Sequence, residues 1–256
     1  MEMLKVENLS AGYGKQRIVN DVSLSVEAGE LVGIFGENGC GKTTLFRAIT
    51  GLGTRMSGLV SVDGHDITNM TVRRRAQYLS MLPAVTEIPE GVLAEEVLEM
   101  GWYACCGFLK GPDRAARETK KKILKELELW ELANQYFDRL SQGQKQMVLL
   151  GRMLLQDTPV FFMDEPDVSL DFKHKHSLFR KMRSIAAEKS KAGLMILHDP
   201  SLVLTYCDRV FLMKKGELMD VICPALETER EIARKIEAIT GRVRVTKQEN
   251  SVIIFP

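Results

Sequence analysis

The sequence has no apolar run near the roughly 18 to 20 residues that a membrane-spanning helix needs, and its longest candidates are strand-sized pieces such as Leu194 to Leu197. Its formal net charge is only +1, because it contains 35 Lys and Arg residues and 34 Asp and Glu residues. That balance argues against nucleic acid as a partner. The five cysteines form neither an even set nor a C-x-x-C pair, so neither a disulfide framework nor a zinc site is indicated.

The first residues, 1 to 6, alternate polar and apolar side chains and show no basic segment followed by an apolar stretch. We therefore expect no secretory signal and a cytoplasmic location. Any role at a membrane has to come from a partner protein.

Hydrophobic periodicity divides the 256 residues into segments. Alternating residues in the first thirty predict an antiparallel β subdomain, and a helical period from about Ala94 to Leu155 predicts an inserted α-helical subdomain. Strand composition returns at residues 160–163, 194–197 and 210–213, which indicates an α/β core with a mostly parallel sheet. We expect one domain over residues 1–224, followed by an appendage at 225–256 with a helix near Glu229 to Ala238 and a pair of strands.

A glycine-rich loop follows the apolar strand Leu31 to Phe35 and leads into a segment of helical composition. Its residues 36–43, GENGCGKT, fit the phosphate-binding pattern G-x-x-x-x-G-K-[ST]. Such a loop turns backbone amides inward around phosphates, while Lys42, which we also expect to be catalytic, adds a cation toward the β and γ groups and Thr43 offers a hydroxyl to Mg²⁺. The predicted nucleotide-binding residues of this loop are Gly36, Asn38, Gly39, Cys40, Gly41, Lys42, Thr43 and Thr44. The fold class is therefore an α/β P-loop NTPase core, flanked by helices.

An acidic pair closes the apolar strand at residues 160–163. Asp164 is the predicted second Mg²⁺ ligand, and Glu165 is the predicted catalytic carboxylate that polarises the attacking water. An acidic pair at a strand end can also be a helix cap or a solvated edge.

Upstream of this pair, Leu140-Ser141-Gln142-Gly143-Gln144 resembles the signature motif of ABC ATPases. Ser141 is a plausible N-cap, and the free amides and positive dipole of the helix that it begins suit a γ-phosphate. The resemblance implies that Ser141, Gly143 and Gln144 bind the ATP held by a second copy, in a head-to-tail dimer with two shared sites. Taken alone, the motif would indicate only a helix cap.

Three weaker elements are similar to the same family and occur in the expected order. Tyr13 stands where the family stacks an aromatic ring on adenine, and Ser169-Leu170-Asp171 resembles the D-loop between subunits. His198 resembles the catalytic switch histidine that senses the γ-phosphate, although it could simply end a strand before a helix that Asp199 caps. His174 and His176 are interpreted as a solvated helix face.

The pattern departs from the family at two positions. Ala84 stands where the family usually has a glutamine that touches Mg²⁺ and water and relays the nucleotide state to the membrane subunit. A methyl group can do neither, so we expect slow hydrolysis with ATP and Mg²⁺ binding retained. Gln142 replaces the usual first glycine of the signature motif, which is a smaller change.

The resemblance covers about 220 residues and is closest to importer ATPases for iron siderophores, haem and cobalamin. Residues 89–91, 197–202 and 207–210 carry this closer likeness. It implies integral membrane permease subunits and, indirectly, a solute-binding protein as partners, with the chain peripheral on the inner face of the cell membrane. The candidate permease-docking residues are Met100, Trp102, Tyr103 and Phe108, for which core packing is the alternative.

Two other functions remain compatible with these motifs. One is a soluble ABC ATPase of iron–sulfur cluster assembly, and the other is a binding module with weakened catalysis, which Ala84 favours and Glu165 opposes. DNA-repair relatives are disfavoured, since no long heptad repeat separates two halves.

Overall fold

The structure is a computed structural model and describes residues 1–53, 55–106, 113–168, 170–248 and 251–255. Its elements are numbered in chain order. The strands are β1 (Glu2–Tyr13), β2 (Gln16–Glu27), β3 (Leu31–Gly36), β4 (Arg55–Val62), β5 (His65–Asp66), β6 (Leu79–Leu82), β7 (Val160–Asp164), β8 (Ala192–Ile196), β9 (Arg209–Lys214), β10 (Glu217–Ile222), β11 (Arg244–Gln248) and β12 (Ser251–Phe255). The helices are α1 (Lys42–Thr50), α2 (Val72–Arg75), α3 (Ala94–Cys106), α4 (Arg114–Glu126), α5 (Gln142–Leu155), α6 (Phe172–Glu188), α7 (Pro200–Tyr206) and α8 (Glu229–Thr240).

The central sheet has the strand order β10-β9-β3-β8-β7-β6. All of its neighbouring pairs are parallel except β10 with β9 at one edge. The strand β3 is buried on both faces, as parallel strands covered by helices usually are. Its Val32 and Ile34 join one apolar layer, while Leu31 and Phe35 join the opposite layer. The predicted parallel α/β core is confirmed.

The N-terminal sheet has the order β2-β1-β4-β5 and its pairs are antiparallel. The turn between β4 and β5 contains Asp63 and Gly64, with φ of 48° and 73°. Two consecutive positive φ values are typical of the tight hairpin turn that the Asp-Gly pair predicts. This sheet and α1 enclose the apolar layer that contains Val32 and Ile34, so the predicted antiparallel subdomain is also confirmed.

Helices α3, α4 and α5 form the helical insertion between β6 and β7. Lys120 on α4 contacts two carboxylates of α3, Glu95 at 3.0 Å and Glu99 at 2.5 Å. The apolar faces of the three helices join the same core layer as α6 and α7. The insertion therefore packs on the central sheet and brings the N-terminus of α5 close to α6.

One of the segments that resembles the importer ATPases, residues 207–210, positions the strand before the glycine-rich loop. The Asp208 carboxylate accepts a hydrogen bond from Leu31 N at 2.9 Å, and Arg209 forms an ion pair with Glu30. These contacts hold the first residue of β3 in place, and the glycine-rich loop begins where this strand ends.

The C-terminal elements α8, β11 and β12 pack against the rest of the chain. Ile232, Ile236, Val245 and Val252 are buried in the core layer that also holds α7. The domain boundary at residues 224 and 225 stays a prediction. In the described part of the chain, no helix combines the length and the apolar character needed to cross a membrane.

Candidate active site

The segment of residues 36–44 runs from the last residue of β3 into the first turn of α1, as the sequence predicts. A Cβ on Gly36 would lie 2.1 Å from the Met213 carbonyl oxygen, so only glycine allows β9 to approach here. Gly41, just before α1, has a φ of 109°, which L side chains rarely adopt. These glycines let the chain turn sharply into the helix, whose N-terminus suits an anion.

Lys42 is the first residue of α1, and its side chain is only 5% exposed. Its Nζ donates to the carbonyl oxygens of Gly36 at 2.8 Å and Glu37 at 3.0 Å. The ammonium group is therefore held inside the curve of the loop, where a cation would meet phosphate oxygens.

Asp164 ends β7 with a carboxylate that is almost fully buried. Burial, with the nearby Glu165 charge as a second cause, raises the pKa of Asp164 to about 6; Arg47 and a hydrogen bond with Thr43 act in the opposite direction. Its Oδ1 atom is buried and has no hydrogen-bond partner among the described residues. A buried carboxylate oxygen without a partner, beside a threonine hydroxyl, is the donor set that Mg²⁺ prefers.

Glu165 and His198 follow the neighbouring parallel strands β7 and β8, so the same sheet edge brings them together. The Nε2 atom of His198 lies 2.6 Å from Oε1 of Glu165. Glu165 has a φ of 51°, an uncommon conformation for a residue other than glycine, and its N–H donates to Ile196 O at 3.1 Å. The Glu165 carboxylate, carried on a strained backbone, and the partly exposed His198 imidazole thus form one pair next to Asp164.

Tyr13 ends β1, and its ring is 47% exposed. Its hydroxyl is 3.5 Å from Arg47 Nη1 on α1. The ring therefore lies near the helix that follows the phosphate loop, on the side where an adenine base could stack.

The signature residues begin α5. Ser141 Oγ accepts a bond from Gln144 N at 3.3 Å, and Gln144 Oε1 accepts from Ser141 N at 2.9 Å, which is a capping box. With Gly143 and Asp171 they line an open groove of about 780 Å³ between the helical insertion and α6. Among the described residues that line this groove, none belongs to the phosphate loop.

Asp171 is the N-cap of α6, and hydrogen bonds from the backbone N–H and ring of His174 hold the pKa of its carboxyl below the usual value. Ser169, the first residue of the predicted D-loop, lies outside the described residues. His174 is exposed, as predicted. His176 is not simply solvated, because its ring is half-buried and its Nδ1 is 2.6 Å from Tyr206 OH.

The candidate docking residues do not share one exposed face. Trp102 is only 8% exposed and belongs to the core of the helical insertion, so core packing is its role, and Tyr103 packs against it with ring centroids 5.0 Å apart. Met100 is 37% exposed. Phe108 lies outside the described residues.

One contact near the site was not predicted. The buried Gln146, two residues after the signature motif, donates from Nε2 to Pro166 O at 3.3 Å. It ties the signature helix to the residue that follows Glu165. A polar residue at a position that faces the core of an amphipathic helix is the sequence signal that points to it.

Residues 19–168 match the family model described as ABC transporter. The chain is 32% identical over 250 residues to a haemin import ATP-binding protein of Pseudomonas fluorescens, covering 93% of this chain and 92% of that one. It is 34% identical over 211 residues to a manganese transport system ATP-binding protein of Bacillus subtilis, covering 82% of each. The fold matches a dimeric bacterial ABC transporter cassette with a TM-score of 0.77 at 23% identity, covering 87% of this chain and 99% of that one.

The matched region holds the phosphate loop, the signature motif and the acidic pair in one continuous stretch of the chain. The comparisons favour a transporter subunit over a protein of iron–sulfur cluster assembly. The chain belongs to the ABC transporter family, as an ATP-binding cassette whose relatives bind ATP and typically hydrolyse it.

Proposed function

We propose that this chain is the ATP-hydrolysing subunit of a membrane importer, with an iron-siderophore, haem or cobalamin-type cargo. The proposal that the chain hydrolyses ATP rests on the 2.6 Å contact between Glu165 and His198. This contact lies at the sheet edge where β7 ends with Asp164. The importer half is supported by the relatives, which are ATP-binding proteins of haemin import and of a manganese transport system.

ATP would lie along the phosphate loop, with Tyr13 stacked on the adenine. Backbone amides and the Lys42 ammonium group hold the phosphates. Thr43 and Asp164 would hold Mg²⁺, which neutralises charge on the phosphate oxygens when it is bound. The unpartnered Asp164 oxygen supports this assignment.

Glu165 accepts a proton from the attacking water. His198 Nε2 lies 2.6 Å from the Glu165 carboxylate, so the ring would lie beside the same water and the γ-phosphate. The two residues lie side by side because they follow the neighbouring parallel strands β7 and β8.

The site is complete only with a second copy. The open groove at Ser141, Gly143 and Asp171 presents the N-terminus of α5, and the phosphate loop does not line it. A head-to-tail dimer would place Ser141, Gly143 and Gln144 of one copy on the ATP of the other. The fold match to a dimeric cassette is consistent with this arrangement.

Assembly with permease subunits is the direct test. The chain would be co-expressed with candidate permease subunits and purified in detergent. We expect a stable complex, with ATP turnover raised several-fold over the isolated chain and raised again by a loaded solute-binding protein. A chain that forms no complex and hydrolyses ATP at the same rate in both preparations would contradict the importer proposal.

Ala84 carries a second prediction. Because Leu82 pairs with Met163, two further residues along each strand bring Ala84 and Glu165 to the same sheet edge. We expect Ala84→Gln to raise the turnover number by about 3- to 10-fold, since the amide can orient water and touch the metal. The measurement is steady-state phosphate release at saturating ATP.

The matched control for this change is Val85→Gln, which adds the same side chain one position away, at a residue that is 79% exposed. It is expected to leave turnover unchanged. An equal rise in both variants, or no rise in either, would show that Ala84 does not limit hydrolysis.

A further inference from the structure

The C-terminal hairpin of β11 and β12 is attached to α7 by side-chain hydroxyls. Val252 N donates to Thr205 Oγ1 at 2.9 Å, and Thr205 Oγ1 lies 3.4 Å from Val252 O, to which it can donate. Ile254 N donates to Ser201 Oγ at 3.1 Å. Three hydrogen bonds therefore join one strand edge to one helix.

The spacing of these bonds fits the two elements. Residues 252 and 254 present their N–H groups on one edge of β12, while β11 pairs with its other edge. Residues 201 and 205 lie one turn apart on one face of α7. The two helix hydroxyls thus take the place of a third strand and satisfy donors that an open edge would leave exposed.

Helix α7 needs such attachments because it has only seven residues, too few for a helix to be stable by itself. Asp199 caps it through bonds from Ser201 N at 2.8 Å and Leu202 N at 3.4 Å. At its other end, Tyr206 OH meets His176 Nδ1 at 2.6 Å. The hairpin is bonded to the face of α7 that carries Ser201 and Thr205, between the Asp199 cap and Tyr206.

The position of α7 determines the position of His198. Only three residues separate the end of β8 from the start of α7, and His198 is the middle one. Leu197 before it is fully buried, and Asp199 after it is bonded to α7. A shift of α7 is therefore transmitted through a short tether to the imidazole.

We propose that the C-terminal hairpin positions His198 against Glu165 through α7, with Ser201 and Thr205 as positioning residues for ATP hydrolysis. The inference rests on the proposed catalytic role of His198. It gives the appendage a function inside the chain's own active site.

The first test is the double variant Ser201→Ala, Thr205→Val, which removes both hydroxyls with little change of shape. We expect the turnover number to fall by about 3- to 10-fold with the KM for ATP within twofold of the original. Thr205→Ser keeps a hydroxyl and is expected to retain full turnover. Thr240→Val removes a hydroxyl whose hydrogen bond among the described residues stays within α8, to Ile236 O, and is the matched control.

The second test measures the NMR signals of the His198 ring in the nucleotide-free protein. The chain has four histidines, so the ring signals of ¹⁵N-histidine-labelled protein can be assigned by substitution. We expect the His198 signal of the double variant to move toward its position in Glu165→Gln, while the signals of His65 and His174 stay in place. Both variants must show the thermal unfolding of a folded protein.

The outcomes separate the two proposals. An unmoved His198 signal together with an unchanged turnover number would overturn the hairpin inference. If His198→Ala leaves turnover unchanged, the catalytic assignment fails instead, and the ring signals still decide whether the hairpin positions the residue.

Discussion

Replacing Glu165 with glutamine lowers ATP turnover by at least about 100-fold, the usual scale for loss of a general base. The amide has the shape of the carboxylate and can keep the bond to His198, but it cannot accept a proton from water. ATP affinity changes little, because the phosphate loop and Lys42 are untouched. The measurements are single-turnover phosphate release and equilibrium binding of a fluorescent ATP analogue.

Glu217→Gln is the control for this prediction, since it makes the same chemical change on the exposed edge strand β10. It is expected to hydrolyse ATP at the original rate. If Glu165→Gln retained the original turnover as well, the water would be activated by another group, and the 2.6 Å pair with His198 would have only a structural role.

The residues of the phosphate loop could be placed from the sequence because the loop must follow a strand and precede a helix. Asp164, Glu165 and His198 were expected at strand ends, which lie at one edge of a parallel sheet, whereas the structure shows that β7 and β8 are neighbours. Loop and strand ends therefore located Lys42, Asp164, Glu165 and His198 without any side-chain coordinates.

Contacts between segments far apart in the chain could not be predicted in this way. The bonds that Gln146 Nε2 donates to Pro166 O and that Ile254 N donates to Ser201 Oγ join residues that are 20 and 53 positions apart. Periodicity assigns a residue to a face of a helix but does not say which element covers that face. For the same reason the sequence left Trp102 open between docking and core packing until its burial was known.

Replacing Asp164 with asparagine is expected to change stability and metal binding in opposite directions. The folded protein raises the pKa of this carboxyl to about 6 from an ordinary value of 3.8, chiefly by burial. Above pH 6 the folded state must keep a charge that the unfolded chain holds more easily, which costs about 3 kcal/mol. Asparagine removes that charge, so the melting temperature of nucleotide-free protein at pH 7.5 rises by roughly 6 to 12 °C.

The sign of the pH dependence follows from the direction of the shift. Between the unfolded and folded pKa values the native state binds more protons than the unfolded chain, so the original protein gains stability as the pH falls through about 6. The advantage of the asparagine variant is therefore full at pH 7.5, shrinks through pH 6, and is lost near pH 4. Calorimetric scans at these three pH values measure it.

Metal binding is the opposing half of this prediction. Asparagine offers a neutral oxygen where the buried carboxylate atom lacks a partner, so Mg²⁺-dependent ATP affinity is expected to fall at least tenfold, while ATP binding without Mg²⁺ is kept. Asp63→Asn, in the exposed turn between β4 and β5, is the control and should change neither quantity. A variant that is less stable at pH 7.5 and binds Mg²⁺-ATP normally would mean that Asp164 stabilises the fold and does not ligate the metal.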